Sequence, residues 1–586
     1  MNKSLIYTFK KFVQTNKKLT FSILLFLLVF ILMAIPYKNW WFFGADDFHA
    51  LFEGYKIKTF KDLFYCFYDG NIAKGAGPSN YILPTGPSYF FSTFYRPLYL
   101  VYFGIQYWLF GSCAYPYFVV NVFFHAINVV ILFNIFAMLI NYFPALLLAL
   151  LFAFHPQISY VFGAIVNLHY YINLMLMLLS ILAFKKFLDD KKLIFNLIAI
   201  FLFILSLFTR ETSVVLPAIV FGATYLYQNR LNKIGIKNFF KQFKTILKLT
   251  SGYWLSSIGF LGIRLYLFPL KFPSQKNSIS FYIQIKQLII DKIPEFKVFI
   301  YDMFSLSWLP WNHKIIRGTI IISLFSIMGY LFIKNKKKIE ITFLFFSAFL
   351  MLWPSLLGHY NSRYIYEAYP LIFLAFIFLF KYSKINFNPI KKYALTIFTG
   401  YIIFLGFFLT ECFIKREIKY KAMKIAVEQL IQNPKIKNKA LCFFGYPTEN
   451  FGEQNADIFW VLLNNPSLDL YFDPATAITQ ADSNLIQDAG WRNVISDFHD
   501  KNYFKITPIK NGFRFESLNP QKVHFNMKDS GYSLGEKIIN KTEIVNDIEV
   551  VTEFDLFIDQ KYLNAKPVFI QWNYETKDFE ILKSAT

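Results

Sequence analysis

The stretch WWFFGADDFHALFEGY, Trp40 to Tyr55, places the adjacent carboxylates Asp46 and Asp47 and the imidazole of His49 directly behind an apolar run. A carboxylate at a partly desolvated interface can be tuned to take a proton from a hydroxyl, which is the task of a general base. Neighbouring residues on a helix point about 100° apart. One acid can therefore reach a reacting group while the other binds a cation, an arginine or backbone donors. A divalent metal held by Asp46 and Asp47 is an open option for the same pair. The doublet also reads as a solvated helix start in which Asp46 caps DFHALFEGY, and capping is compatible with base catalysis.

Further polar residues recur at the ends of apolar runs: Arg96 in YRPL, His155 in FHPQ, Asn167 and His169 in VNLHYY, Arg210 and Glu211 in TRET, and Arg363 in NSRYIYEAYP. A charge at membrane depth costs about 2.5 kcal/mol or more, so its repetition on one side of the bilayer argues for an enclosed polar site. Each residue also has a plainer reading. Arg96 and Arg363 could snorkel to headgroups, Arg210 and Glu211 could pair with each other, and His155 and His169 could cap helices. His125, deep in an apolar run, is expected to be a hydrogen bonder in helix packing.

The elements that must position these residues are membrane helices. Of 586 residues 55% are hydrophobic and only 17% charged, with a mean hydropathy of +0.38, which describes a polytopic membrane protein. The net charge of +23 resides in short Lys and Arg clusters between apolar runs, as the positive-inside rule requires, and no nucleic-acid motif accompanies it. The clusters Lys185 to Lys192, Gln228 to Lys248, Lys334 to Lys338 and Lys381 to Lys392 are expected in the cytoplasm. Pro97 to Phe110 reads as an amphipathic segment on the outer interface. The spans then run over about 19–36, 116–140, 144–154, 166–184, 193–209, 212–227, 249–268, 318–333, 341–357, 364–380 and 393–413. Leu19 to Pro36 follows a basic start and lacks a small-residue cleavage site, so it reads as an uncleaved first helix with a cytoplasmic N-terminus. Eleven spans put the first loop, 37–115, and the tail outside, although Lys415, Arg416, Lys419, Lys421 and Lys424 then follow the last span on the outer face. An additional span within Phe281 to Trp311 would reverse the tail. Cys66, Cys113, Cys412 and Cys442 lack CxxC spacing, so neither a zinc site nor a disulfide framework is expected; a Cys66 to Cys113 bridge is the disfavoured alternative.

The fold class expected is mainly α, a polytopic domain over 1–413 followed by a soluble mixed α/β domain over 414–586. In the tail, KALCFFGYP, SLDLYFD, FKITPIK, GFRFESL, KVHFNM and KPVFIQWNYETKDFEIL alternate as short strands, with helices near Arg416 to Ile431 and Ala456 to Leu463. No catalytic constellation stands out there, which favours a recognition or lid role.

GADDFHALFEGY, YRPLYLVYFGIQYWLFG, YPYFVVNVFFHAINVVILF, FHPQISYVFGAIVNLHYYINL, LSLFTRETSVVLP and SRYIYEAYP, in that order, resemble the polytopic glycosyltransferases of the GT-C fold. The likeness runs over residues 20 to 410 and is strongest to the protein O-mannosyltransferase-like branch, which uses polyprenyl-phosphate sugars, and its bacterial counterparts. Relatives carry Asp-Glu, a hydrophobic residue and His in the first loop, where this chain has Asp46, Asp47, Phe48 and His49, and often Lys before the Glu of TRET. The resemblance implies an enzyme of a bacterial plasma membrane that moves a sugar from a polyprenyl-phosphate carrier to a protein or glycolipid acceptor on the outer face, by inverting displacement. Asp46 would take the acceptor proton, with Asp47 or His49 orienting it. Arg363 and Arg210, with Arg96 and Arg264 behind them, would stabilise the leaving phosphate. Glu211, His155, His169 and Asn167 would line the sugar and acceptor site. Two other classes fit the composition: a transporter or flippase for a lipid-linked saccharide, which would need no carboxylate pair and which often shows inverted repeats not evident here, and a silent scaffold displaying the tail.

Overall fold

A computed structural model describes residues 17–39, 42, 44–69, 95–155, 164–232, 239–267, 314–357, 362–383 and 400, and in the tail 421, 424–436, 439–444, 462, 470–472, 478–480, 504–518, 523–525, 535–545, 548–564, 566–573, 576 and 578–582. The first part is helical. It comprises α1 (Lys17–Ala34), α2 (Gly44–Lys56), α3 (Phe60–Asp69), α4 (Pro97–Phe110), α5 (Ala114–Leu139), α6 (Tyr142–Ala153), α7 (Leu168–Asp190), α8 (Leu193–Thr209), α9 (Leu216–Asn232), α10 (Phe239–Leu249), α11 (Ser251–Leu267), α12 (Lys314–Ile333), α13 (Lys338–Leu357) and α14 (Tyr369–Lys381). Three helices, over Lys18–Lys38, Ala114–Leu139 and Ile165–Asp190, are long and apolar enough to cross a membrane. Those over Tyr142–Ala153, Leu193–Thr209, Thr319–Ile333 and Tyr369–Leu379 are apolar but shorter, so the described residues do not confirm the expected count of eleven spans. The expected span over 393–413, the segment 281–311 and the domain boundary at 413 lie outside the described residues, apart from residue 400.

The burial pattern is that of helices with apolar surroundings. In α1, Leu25, Val29 and Met33 form a stripe at helical spacing that packs on α5, while Leu24, Leu27, Leu28, Ile31 and Leu32 are exposed. Helix α7 is the centre of the bundle. Lys191, in the left-handed region at φ 57°, ends it and lets α8 start two residues later, so that the two helices pack along their length. The Ser180 hydroxyl and Tyr253 hydroxyl tie α7 to α11 at 2.8 Å. Helix α6 stops at Ala153 because His155 precedes Pro156, and a residue before proline is kept out of the helical region.

One expectation needs correction here. Helix α4 buries Tyr99, Leu100 and Phe103, but its exposed side carries Ile105, Trp108 and Leu109, so it is apolar all round and not amphipathic. Cys66 and Cys113 are free thiols, Cys66 buried and Cys113 exposed. Burial pushes the Cys66 thiol up to about 11. Cys442 is free and buried, and Cys412 lies outside the described residues.

The tail contains a helix over 424–432 and strands β1 (Leu441–Phe444), β2 (Leu470–Phe472), β3 (Ile478–Gln480), β4 (Phe504–Ile509), β5 (Gly512–Ser517), β6 (Val523–Phe525), β7 (Gly535–Val545), β8 (Ile548–Ile558), β9 (Val568–Asn573) and β10 (Asp578–Ile581). The expected helix at Ala456 to Leu463 lies outside the described residues except for helical Leu462. One sheet has the order β10-β9-β1-β2, with β1 parallel to β2 and β9; in the other, β8 pairs with β5, β6 and β7, all antiparallel. The sheets meet through aromatic rings, Phe444 and Phe569 against Phe513, with centroids 5.1 and 4.8 Å apart. The expected strands are present, whereas β7 and β8, the longest pair, were not anticipated. Thr552, Phe554, Leu556 and Ile558 alternate as the buried face of β8.

Two expected outcomes follow for this region. A Cβ at Gly512 would clash with the Leu556 carbonyl oxygen, a backbone atom that cannot rotate away. Gly512→Ala is expected to destabilise the sheet by about 1–3 kcal/mol, read as increased proteolysis of the tail in the full-length protein. Arg514 binds Asp555 through Nε and Nη2 at 2.7 and 2.9 Å and, by that hydrogen bond, holds the Asp555 carboxyl below its ordinary value of 3.8. The folded pKa is the lower one, so this stabilisation is present above about pH 4 and is lost as pH falls through the folded pKa. Asp555→Asn is expected to flatten the acid limb of the tail's unfolding profile, with little change in its slope at neutral pH.

Candidate active site

The acidic doublet sits in the first turn of α2. That helix begins at Gly44, so Asp46 is inside it and is not its cap; acids here favour the helix N-terminus electrostatically. The side chains of Asp46 and His49 lie outside the described residues. Asp47 is fully buried, and its Oδ1 accepts the Val166 N–H at 3.0 Å. Val166 belongs to the 3-10 turn Ile165–Asn167 at the head of α7, and its carbonyl accepts the His169 Nδ1–H at 2.8 Å. The backbone of one residue, Val166, thus joins the first-loop acid to the buried His169. Asn167 is also buried in this turn.

His169 lies against Tyr99 of α4, with centroids 5.4 Å apart, and against Tyr170 at 4.4 Å. Tyr170 carries the contact onward: the Arg210 guanidinium carbon is 3.8 Å from its ring centroid and 5.2 Å from that of Tyr364. Arg210 is 1% exposed. Its Nη1 is 3.5 Å from Glu367 Oε2, and among the described residues Nε and Nη1 have no hydrogen-bond partner.

Arg210 and Glu211 do not pair with each other. Helix α8 ends at Thr209, Arg210 is extended at φ −160° and ψ 133°, and the 3-10 turn Glu211–Val215 follows. In extended backbone successive side chains point to opposite sides, which separates their partners. Glu211 accepts the Tyr95 N–H on Oε1 at 2.8 Å and the Arg96 Nε–H on Oε2 at 2.7 Å. Burial acts to lower the pKa of Arg96, but the Glu211 carboxylate outweighs it and the net shift is upward. The phenols of Tyr170 and Tyr364, the rings that lie against Arg210, add a smaller upward contribution.

The third contributor is the 3-10 turn Ser362–Glu367. Glu367 is 3% exposed and accepts the Asn173 amide on Oε1 at 2.8 Å and the Thr212 hydroxyl on Oε2 at 3.0 Å; the Ser213 hydroxyl donates to Asn173 Oδ1 at 2.8 Å. Tyr366 in the same turn meets His125 Nδ1 at 2.9 Å, while His125 Nε2 is 3.3 Å from the Ala153 carbonyl. The carbonyl can only accept, so Nε2 carries the proton and the Tyr366 hydroxyl donates to Nδ1. His125 is therefore a packing hydrogen bonder. His155 lies beside Tyr369 with centroids 4.3 Å apart, and burial pushes its pKa down to about 3, leaving a neutral ring.

Contacts among the described residues thus link Asp47, His169, Arg210, Arg96 and Glu211 in one run, with Asn167 in the turn between Val166 and His169 and His155 beside the segment that follows Glu367. Arg363 lies in the Ser362–Glu367 turn with its side chain outside the described residues. Arg264 is half-buried in the last turn of α11, a helix packed on α8 and α9. Glu367, Thr212, Asn173, Ser213 and Tyr170 were not singled out from sequence. Glu367 was legible by the reasoning that marks Arg363, an ionisable residue beside an apolar run. Among the described residues no group of three His, Cys, Asp or Glu side chains could hold a metal.

No protein-family model matches the chain, and no curated protein matches it. Among solved structures it is similar to ArnT from Cupriavidus metallidurans bound to undecaprenyl phosphate, at 9% identity and a TM-score of 0.35, over 79% of this chain and 94% of that one.

Proposed function

We propose that this chain is a membrane glycosyltransferase of GT-C type that moves a sugar from a polyprenyl-phosphate carrier to a protein or glycolipid acceptor on the extracytoplasmic face. The observation that carries the reading is Arg210: a buried guanidinium, stacked on Tyr170, with two nitrogens lacking hydrogen-bond partners among the described residues. An arginine so placed is suited to an oxyanion that gains charge as a bond breaks. In the reaction, the acceptor oxygen bonds to the anomeric carbon as the bond to the carrier phosphate breaks. Asp46 takes the acceptor proton, and the polyprenyl phosphate leaves with the electron pair. Asp47 fixes α2 against the head of α7, and its negative charge, with His49, orients the acceptor for Asp46. Arg210 and Arg363 receive the phosphate charge, with Arg96 and Arg264 behind them. Glu211, His155, His169 and Asn167 line the sugar and acceptor side. Apolar helix faces hold the polyprenyl tail and limit water, which strengthens each charge interaction. The tail domain serves recognition or closure. A metal at Asp46 and Asp47 would have to share a carboxylate already engaged by the Val166 N–H, and no step requires one.

Purified full-length protein in nanodiscs, supplied with a panel of radiolabelled polyprenyl-phosphate sugars and membrane-extract acceptors, is expected to release polyprenyl phosphate. Movement of the lipid-linked sugar across a vesicle without cleavage would instead identify a transporter, and neither outcome would leave a scaffold.

A further inference from the structure

Two arginines enter this site and are treated differently. Arg96 is committed, with its Nε 2.7 Å from Glu211 Oε2. Arg210 has its carboxylate, Glu367, at 3.5 Å, beyond the 2.7–2.9 Å or so of a charge-assisted hydrogen bond. The reason lies in what else Glu367 accepts. The Asn173 amide occupies Oε1 and the Thr212 hydroxyl occupies Oε2, and Asn173 is itself fixed by Ser213. We infer that Thr212 and Asn173 clamp Glu367 so that it neutralises Arg210 without binding it, which keeps the Arg210 Nε and Nη1 donors available to the phosphate of a polyprenyl carrier. Thr212 and Glu367 are then positioning residues that act through Arg210. This deepens the proposed function and rests on it. A buried carboxylate deprived of one donor takes the nearest replacement, because an unsatisfied buried acceptor is costly. For Glu367 that replacement is Arg210 Nη1, 3.5 Å from Oε2.

The test measures binding of a short-chain polyprenyl phosphate and of the matching uncharged polyprenol to full-length protein in nanodiscs. Thr212→Val is expected to weaken phosphate binding by about tenfold, the order of one charge-assisted hydrogen bond, and to leave polyprenol binding and thermal stability within about twofold and a few degrees of wild type. Adding Glu367→Gln to that variant removes the competing charge and is expected to restore most of the phosphate affinity. Equal loss for both lipids, or no recovery in the double variant, would make Thr212 a packing residue and overturn the clamp. Unchanged phosphate binding in Thr212→Val would overturn it too. Wild-type protein that binds neither lipid and turns over no sugar donor would overturn the underlying reading as well, which distinguishes the two failures.

Discussion

Asp46→Asn is expected to slow sugar transfer by about 10²–10⁴-fold, the usual contribution of a general base, with the affinity for the lipid-phosphate donor unchanged. The amide keeps the size of the carboxyl and loses only its capacity to take a proton. Because Asp46 acts on the acceptor, the loss belongs in kcat. Asp47 calls for a pair of variants. Its buried carboxylate accepts the Val166 N–H at 3.0 Å, a bond that an Asn side-chain oxygen can also accept and that Ala cannot. If the charge of Asp47 takes part in the chemistry, Asp47→Asn and Asp47→Ala are both inactive, as expected here. Activity retained in Asp47→Asn and lost in Asp47→Ala would reduce Asp47 to an anchor between α2 and the head of α7. Steady-state kinetics on detergent-purified variants of normal expression level decides between the two, and full turnover in Asp46→Asn and Asp47→Asn alike would remove the proposed base.

The second large effect is expected at Arg210. Arg210→Lys retains a positive charge but loses the planar fork that can address two phosphate oxygens. It is expected to reduce transfer by about 10²–10³-fold, the range seen when one preorganised oxyanion donor is removed, at nearly normal stability. Arg210→Met removes the charge as well and strands Glu367, which is 3% exposed. Breaking a buried ion pair from one side costs about 3–5 kcal/mol. Asn173 and Thr212 donate to the same carboxylate, so the lower end of that range is expected, and Glu367→Gln in the same chain should recover stability without recovering transfer. Thermal unfolding followed together with donor turnover separates the two effects. A Lys variant with wild-type turnover would exclude bidentate handling of the phosphate.

The helical part was legible where charges punctuate apolar runs. Helix α8 has its expected limits, Leu193–Thr209, because Lys191 and Lys192 precede it and Arg210 follows. The strands over Leu441–Phe444, Phe504–Ile509 and Gly512–Ser517 were legible from short alternating runs between turn residues. Hairpin β7–β8 is not legible because its first strand is GEKIINKTEIV, a charged run that among the described residues pairs with β8 alone. Its pattern reads as polar linker until the alternation in β8 is set beside it.

At the site, residue types and their common location were legible, but partners were not. Adjacency in TRET suggests that Arg210 and Glu211 pair, yet the break between α8 and the following 3-10 turn sends them to Glu367 and Arg96, residues 157 and 115 positions away in the chain. Glu367 is masked in the sequence by Arg363, four residues earlier, which already accounts for one charge beside the same apolar run. The hydrogen bonds of Thr212 and Asn173 to Glu367, at 3.0 and 2.8 Å, are ones that no spacing in the sequence encodes.

The most direct measurement is photo-crosslinking of full-length protein in nanodiscs with a polyprenyl phosphate that bears a diazirine next to the phosphate, followed by peptide mapping. Labelling is predicted on the segments that hold Val166, Tyr170, Thr212 and Tyr364, suppressed by excess polyprenyl-phosphate sugar and not by polyprenol. Labelling confined to the exposed apolar face of α1, or equally suppressed by polyprenol, would contradict a phosphate site at Arg210.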